Sequence, residues 1–242
     1  MFTLLLVALA VSGVGALIRR RSQTFGQVLM VAGIVSLAVI SVLQIRQIVF
    51  PPPEKTPDRG GMAVGSCLAN CVIGDLADQN GTVILLFPLQ SVMDADTEQS
   101  YEDGFVMPLR HGHTTFHLKA IHLETKPGKT GYDVAAFQQV LEKAPDALAI
   151  VSYAGVPADF NNLFSTGQAK APHFYVLDSE GTTNWLGPLK DGRIRAVVLP
   201  RPGADLRARA EVRGRPEDIF EQFYLLATQE TADQVAAQIS KK

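Results

Sequence analysis

Two uncharged, strongly apolar runs near the N-terminus constrain this chain more than any other feature of its sequence. The first covers residues 2–18, FTLLLVALAVSGVGALI, and the second covers residues 26–45, GQVLMVAGIVSLAVISVLQI. A helix of about 20 apolar residues is long enough to cross a bilayer core. Backbone amides in hydrocarbon must be paired within their own segment, so both runs are predicted to be helices. With the short link between them, they predict a transmembrane helical hairpin over residues 1–50.

The charges around these runs predict the orientation of the hairpin. Arg19, Arg20 and Arg21 lie in the link, and the positive-inside rule places that link in the cytoplasm. The sequence therefore predicts an integral membrane protein with a periplasmic or extracellular soluble domain and both termini outside. A cleaved signal peptide is the alternative for the first run, although the positive cluster follows that run instead of preceding it. The predicted partners are the lipid bilayer and other integral membrane proteins.

The segment after the apolar runs predicts a spacer followed by an acidic domain. Residues 51–59, PPPEKTPDR, cannot continue a helix, because proline lacks an amide donor and restricts the residue before it. Residues 1–50 hold four basic and no acidic residues, so the rest of the chain carries 18 basic and 24 acidic residues, a formal charge of −6. This balance argues against nucleic acid as a partner, since phosphate binding needs a patch of lysine and arginine.

Helical and strand patterns alternate across the soluble domain, residues 60–242. Helices are predicted over residues 65–76, 97–109, 133–143 and 158–165, with one or two more between 216 and 239. Strands are predicted over residues 82–87, 114–123, 147–153, 173–177 and 194–199. Near-continuous apolar strands such as TVILLF are typical of a parallel sheet that is buried on both faces. The predicted fold class is therefore α/β, with a single doubly wound, mostly parallel sheet.

Five ordered fragments of this domain carry a family resemblance. They are NGTVILL at 80–86, YEDGF at 101–105, FQQVL at 137–141, DALAIV at 146–151 and DGRIRAVV at 191–198. Together they resemble one lobe of the type I periplasmic sugar-binding proteins, over roughly residues 62–200. Members of that family close two lobes around a ligand, whereas this chain has room for one. An arginine common in the family at the position of Tyr101 is also missing here.

The carboxyl ends of the predicted strands supply the candidate ligand-binding residues, Tyr153, Gly155 and Asp178, with Pro88 beside them. Open α/β sheets bind their ligands at this edge. A single lobe buries little of a small ligand, and buried ligand surface is what a tight site provides. Whether a small molecule binds here is therefore left open by the sequence.

Other residues with functional chemistry have simpler explanations. His111, His113 and His117 are weak candidates for metal ligands, since alternation along a strand places them on one face, but no cysteine or carboxylate at ligand spacing accompanies them. Cys67 and Cys71 share one helix face and are interpreted as small apolar residues packed on the sheet. Because no cofactor motif, nucleophile elbow or zinc-protease motif is present, no metal or cofactor is predicted, and the chain is predicted not to be an enzyme.

Two hypotheses for the function follow from these features. The first is a non-catalytic, membrane-anchored subunit or scaffold of a larger membrane protein complex, whose outer α/β domain contacts neighbouring proteins. The alternative is a membrane-tethered solute-binding or sensor domain. The missing second lobe favours the first hypothesis, because a single lobe encloses little of a solute.

Overall fold

A six-stranded sheet with helices on both faces forms the described part of the chain. The computed structural model describes residues 57–89, 92–111, 116–123, 132–157, 159–164, 171–179, 184–210 and 212–240, together with position 35. The strands are β1 Gly81–Phe87, β2 Phe116–His122, β3 Ala147–Ser152, β4 His173–Leu177, β5 Ile194–Pro200 and β6 Tyr224–Thr228. The helices are α1 Arg59–Leu76, α2 Ala95–His111, α3 Val134–Lys143, α4 Leu186–Lys190, α5 Pro216–Phe223 and α6 Ala232–Ile239.

The strands lie in the order β2-β1-β3-β4-β5-β6. The first five are parallel, and β6 pairs with β5 in the antiparallel direction. The register places Phe87 opposite His122 at the end of β1 and β2. The prediction of a mostly parallel sheet is confirmed, with one antiparallel strand at its edge.

The two faces of the sheet carry separate cores, as strand alternation requires. In β1, Val83, Leu85 and Phe87 belong to one core, and Ile84 and Leu86 belong to the other. The first core is covered by buried residues of α1, α2 and α5. The second is covered by buried residues of α3, α4 and α6. Helices therefore cover both faces, which confirms the predicted doubly wound arrangement.

Two glycines let α1 and α2 approach each other closely. A β-carbon at Gly65 would overlap the backbone carbonyl of Tyr101, and one at Gly104 would overlap the backbone of Met62. Asp58 caps the start of α1 by accepting hydrogen bonds from the amides of Gly60 and Gly61. The first core is thus closed by two helices whose backbones are in direct contact.

The structure differs from the sequence prediction in two connections. The helix predicted over residues 158–165 is a short 3₁₀ helix, Phe160–Phe164. The helical segment predicted between 216 and 239 contains a strand, β6, because residues 224–228 pair with β5 instead of extending α5. An unpaired strand at the edge of a sheet exposes backbone donors and acceptors, and β6 satisfies those of β5.

The membrane assignment requires a correction. No helix in the described ranges has the length and apolar character needed to cross a membrane. The longest, α1, packs its apolar side chains into the first core. The runs at 2–18 and 26–45, which predicted the hairpin, lie outside the described residues. The prediction of an integral membrane protein with a periplasmic or extracellular domain and both termini outside is therefore withdrawn.

Candidate functional site

The order of the strands creates a topological switch point at the carboxyl edge of the sheet. From β1, the chain continues to β2 on one side, while β3 lies on the other side of β1. The segments that leave the sheet on either side of this switch point diverge, and open α/β sheets bind ligands in the gap. Residues 88–89 follow β1 at this point, and residues 153–155 follow β3.

Backbone hydrogen bonds fix the chain just beyond the ends of the strands. The amide of Tyr153 donates to the carbonyl of Leu86 at 2.8 Å, and the amide of Leu123 donates to the carbonyl of Phe87 at 2.9 Å. After β1, the amide of Leu89 donates to the Tyr132 hydroxyl at 3.3 Å. The chain at the switch point is therefore fixed largely by the sheet itself.

Gly155 lies beside open space at this switch point. Its φ of 79° lies in the left-handed region that favours glycine, and a β-carbon at this position would meet no atom within 4 Å. Its carbonyl accepts a hydrogen bond of 2.8 Å from the Ser152 hydroxyl, which fixes the turn after β3. The half-buried backbone of Gly155 is thus accessible to a small molecule.

The other two predicted residues, Tyr153 and Asp178, lie below the surface of this edge. Asp178 follows β4, has a side chain only 4% exposed, and donates its amide to the carbonyl of Val198 at 2.9 Å. Tyr153 is 3% exposed, and burial raises the pKa of its hydroxyl well above the ordinary value. The fold brings Tyr153, Gly155 and Asp178 to one edge of the sheet, but only Gly155 is accessible from solvent.

Tyr153 is the centre of a stack of three aromatic rings. Its ring lies parallel to that of Phe87, with centroids 4.9 Å apart, and 4.7 Å from the ring of Tyr101 in α2. The Tyr153 hydroxyl is buried and, among the residues that the structure describes, has no hydrogen-bond partner. Because buried hydroxyls are usually paired, this atom marks a place where the packing leaves a polar group unsatisfied.

A polar network lies beside this stack. Arg209 donates hydrogen bonds of 2.7 Å to the carboxylate of Asp58 and to the hydroxyl of Tyr224. Burial disfavours the charged form of Arg209, but the neighbouring Tyr101, Tyr224 and Asp58 outweigh it and raise the pKa of the guanidinium. The amide of Asp58 also donates to Ser100 at 3.0 Å. The network joins the start of α1 to α2 and β6.

Sequence reasoning did not select a histidine–carboxylate pair at the same edge. His122, the last residue of β2, contacts Glu98 of α2, with 2.9 Å between Nε2 and Oε1. The ring of His122 lies 6.0 Å from that of Phe87. The end of β2 and the first turns of α2 meet at this edge. The pair could therefore be found only once the order of the strands was known.

The histidines considered as metal ligands are not brought together by the described residues. His117 is exposed near the start of β2, His111 ends α2, and His113 lies outside the described residues. Within the described ranges, no group of three or more histidine, cysteine, aspartate or glutamate residues is placed to hold a metal ion.

A concave surface, the α1–α5 groove, has a volume of about 350 Å³ and lies between two helices that cover the first core. It is lined mainly by residues of the two helices, namely Ala63, Ser66, Cys67, Asn70, Cys71, Pro216, Glu217, Phe220, Glu221 and Leu226 of β6. Both cysteines are free and half-buried. A hydrogen bond between the two sulfur atoms lowers the pKa of Cys71 and raises that of Cys67.

Comparison by sequence identifies no relative: no protein-family model matches the chain, and no curated protein matches it. Comparison by structure finds sugar-binding proteins. A galactofuranose-binding protein is 10% identical, with a TM-score of 0.51, over 75% of this chain and 63% of that protein. An ABC transporter solute-binding protein from Agrobacterium vitis, solved with D-fucose, is 14% identical, with a TM-score of 0.48, over 74% and 61%.

A sugar-binding protein of a Bacillus halodurans ABC transporter is 16% identical, with a TM-score of 0.47, over 72% of this chain and 64% of that protein. The chain therefore spans about three fifths of the length of these structures. All three are named as binding proteins. The match to the galactofuranose-binding protein confirms the predicted fold, one lobe of the type I periplasmic sugar-binding proteins.

Proposed function

We propose that this α/β domain is a solute-binding or sensor domain that takes a small polar solute at its carboxyl edge, beside the ends of β1 and β3. The observation that carries the proposal is the switch in strand order at β1, the place where open α/β sheets bind ligands. The likeness to a binding-protein lobe supports this function over a subunit or scaffold of a larger complex.

The groups around the switch point favour an uncharged, hydroxyl-rich solute. Glu98 offers acceptors only, His122 can donate or accept, and the hydroxyl of Tyr132 can do both. Gly155 adds an open stretch of backbone. Since each sugar hydroxyl is both a donor and an acceptor, such a mixed set suits a sugar. The binding proteins of similar fold, named for galactofuranose or solved with D-fucose, support sugars as the first probes.

One sheet edge encloses only part of a solute, which predicts modest affinity. Tight small-molecule sites bury about 70–90% of the ligand surface. A solute lying on a single edge remains partly hydrated, so we expect a dissociation constant between about 10 μM and 1 mM.

Thermal unfolding of the full-length protein with a panel of sugars tests the proposal. A ligand that binds only the native state adds about 2.7 kcal/mol at a hundredfold excess over its dissociation constant. For a domain of this size, that corresponds to a rise in melting temperature of about 5 °C or more. D-fucose, D-galactose and D-arabinose are suitable probes, with amino acids as the comparison panel. We expect at least one sugar to raise the melting temperature.

Two variants locate the binding. Glu98→Gln and His122→Gln should each weaken sugar binding by about tenfold, since the first replaces a carboxylate acceptor by a neutral amide and the second removes the imidazole paired with Glu98. Glu142→Gln, an exposed carboxylate near the end of α3, is the matched control and should leave the shift unchanged. Absence of a shift with every sugar, or a shift insensitive to both edge variants, contradicts the proposal.

A further inference from the structure

Two thiols of α1 face the α1–α5 groove from consecutive turns. Cys67 and Cys71 are four residues apart, both are half-buried, and both line the groove. Residues at this spacing lie on the same face of a helix. The groove beside them is open to solvent, so both thiols are accessible to a small reactant or ion.

The helix makes a direct disulfide between these cysteines unfavourable. Side chains four residues apart on a helix have β-carbons about 5–6 Å apart. A disulfide needs β-carbons about 3.5–4.5 Å apart, so it would form only if α1 unwound at this point. Leu68, Ala69 and Val72, which lie between or beside the cysteines, are fully buried in the first core and oppose that unwinding. A group that bridges the two sulfurs is better accommodated than a bond between them.

The ligands available in the groove indicate which metal ion could bridge the two sulfur atoms. Thiolate ligands favour soft metal ions such as Cu(I) and Zn(II). A structural zinc site needs four ligands, and among the described residues no group of three or more metal-binding side chains is present. Cu(I), by contrast, is satisfied by two thiolates in a nearly linear arrangement. We propose that Cys67 and Cys71 form a two-thiolate site for a soft monovalent metal ion, represented by Cu(I).

The rest of the lining is compatible with such an ion. Ala63, Phe220 and Leu226 present apolar surface beside the thiols, which disfavours strongly hydrated ions. Glu217 and Glu221 line the same groove from α5 and attract cations towards it. Binding replaces the two thiol protons, which pass to the buffer, and no change of oxidation state is needed.

Titration of the full-length, reduced protein with Cu(I) under anaerobic conditions, against a competing Cu(I) chelator, tests this site. We expect one tightly bound ion per chain and a thiolate-to-copper absorption band in the near ultraviolet. Cys67→Ser and Cys71→Ser should each weaken binding at least a hundredfold, because each removes one of only two ligands. Asn70→Ala, an exposed residue that lines the same groove between the cysteines, is the matched control and should bind as the unmodified protein does.

A second measurement uses the unmodified protein and so does not depend on how the variants fold. One equivalent of Cu(I) should protect both cysteines from alkylation by iodoacetamide, while one equivalent of Zn(II) should protect neither. Retention of the absorption band in either serine variant, or alkylation of both thiols in the presence of Cu(I), overturns the proposal. Binding that persists in the Cys67→Ser/Cys71→Ser double variant would assign the ion to other groups and also overturn it.

Discussion

Arg209 donates a hydrogen bond of 2.7 Å to the carboxylate of Asp58, a residue 151 positions earlier in the chain. Both side chains are largely buried, with exposed fractions of 19% for Arg209 and 13% for Asp58. A second hydrogen bond links Arg209 to the hydroxyl of Tyr224. The start of α1 is therefore tied to the segment after β5 and to β6 by a single guanidinium.

Removal of this guanidinium should destabilise the domain strongly. Arg209→Met keeps much of the side-chain volume but leaves the largely buried Asp58 carboxylate without its charged partner. We expect a loss of about 2–3 kcal/mol in the free energy of unfolding, somewhat below the range for a fully buried pair. Chemical denaturation of the full-length protein measures the change. Arg207→Met, exposed in the same segment, should change it by less than about 0.5 kcal/mol, and equal losses in the two variants would contradict this role.

Two glycines of α1 should respond in opposite ways to substitution by alanine, because only one of them contacts α2. Gly65→Ala places a methyl group against the backbone of α2, so the helices must separate, at a cost of about 1–3 kcal/mol or more. Gly74→Ala lies on the same helix, where an added methyl group meets no atom within 4 Å. It should stabilise the protein by about 0.5–1 kcal/mol, because alanine loses less conformational entropy in a helix. Melting temperatures that move in the same direction for both variants would contradict the close packing of the helices.

A helix cap should make stability depend on pH in the acidic range. Asp94 accepts hydrogen bonds from the amides of Thr97 at 2.9 Å and of Asp96 at 3.1 Å, at the start of α2. The hydrogen bonds from Thr97, above all, hold the pKa of this carboxyl below its ordinary value. A lowered pKa in the folded state means that the stabilisation is present above the unfolded pKa of about 3.9 and is lost as the pH falls through the lower, folded value.

Asp94→Ala should therefore lower the free energy of unfolding by about 1 kcal/mol at pH 7, which is typical of a lost cap. At pH 2–3 the difference between Asp94→Ala and the unmodified protein should shrink, since protonation weakens the native cap as well. Urea denaturation of both proteins at several pH values measures this change. A difference that stays constant down to pH 2 would show that the carboxylate charge does not contribute.

The sheet could be predicted from the sequence because its strands are recognisable one at a time. Val83 to Phe87 and Ala149 to Val151 are short apolar runs, and strands of a parallel sheet are buried on both faces. β6 could not be recognised in this way. Tyr224 and Leu225 follow a helix without a break, and their strand conformation depends on pairing with Leu199 and Pro200, which local patterns do not reveal.

The candidate site could be predicted only as far as the ends of the strands. Gly155 and Asp178 follow predicted strands, and parallel topology brings both to the carboxyl edge. The burial of Tyr153 depends on Tyr101, whose helix packs over it, and that contact is set by tertiary packing. The pairing of Asp58 with Arg209 is likewise a long-range contact between segments that show no special pattern on their own.

The unsatisfied hydroxyl of Tyr153 leads to a prediction that separates packing from binding. Tyr153→Phe keeps the stack between Phe87 and Tyr101 and removes a buried polar atom without a partner. Because burying an unpaired hydroxyl costs free energy, the variant should be as stable as the unmodified protein or more stable, by up to about 1 kcal/mol. Tyr175→Phe is the matched control, since the Tyr175 hydroxyl donates to Asp75 at 2.7 Å, and its loss should cost about 1 kcal/mol.

The same pair of variants, unfolded with and without a sugar that raises the melting temperature, shows whether the Tyr153 hydroxyl serves the ligand. If Tyr153 only positions the edge through its ring, Tyr153→Phe keeps the full sugar-dependent rise, because the ring stack is unchanged. We expect Tyr153→Phe to keep this rise, because Tyr153 is only 3% exposed. A Tyr153→Phe protein that is more stable without sugar but no longer responds to it would show that the hydroxyl is unpaired because the ligand is its partner. Tyr175→Phe should respond to sugar normally in either case, since Tyr175 lies in the middle of β4 and its hydroxyl is paired with Asp75 of α1.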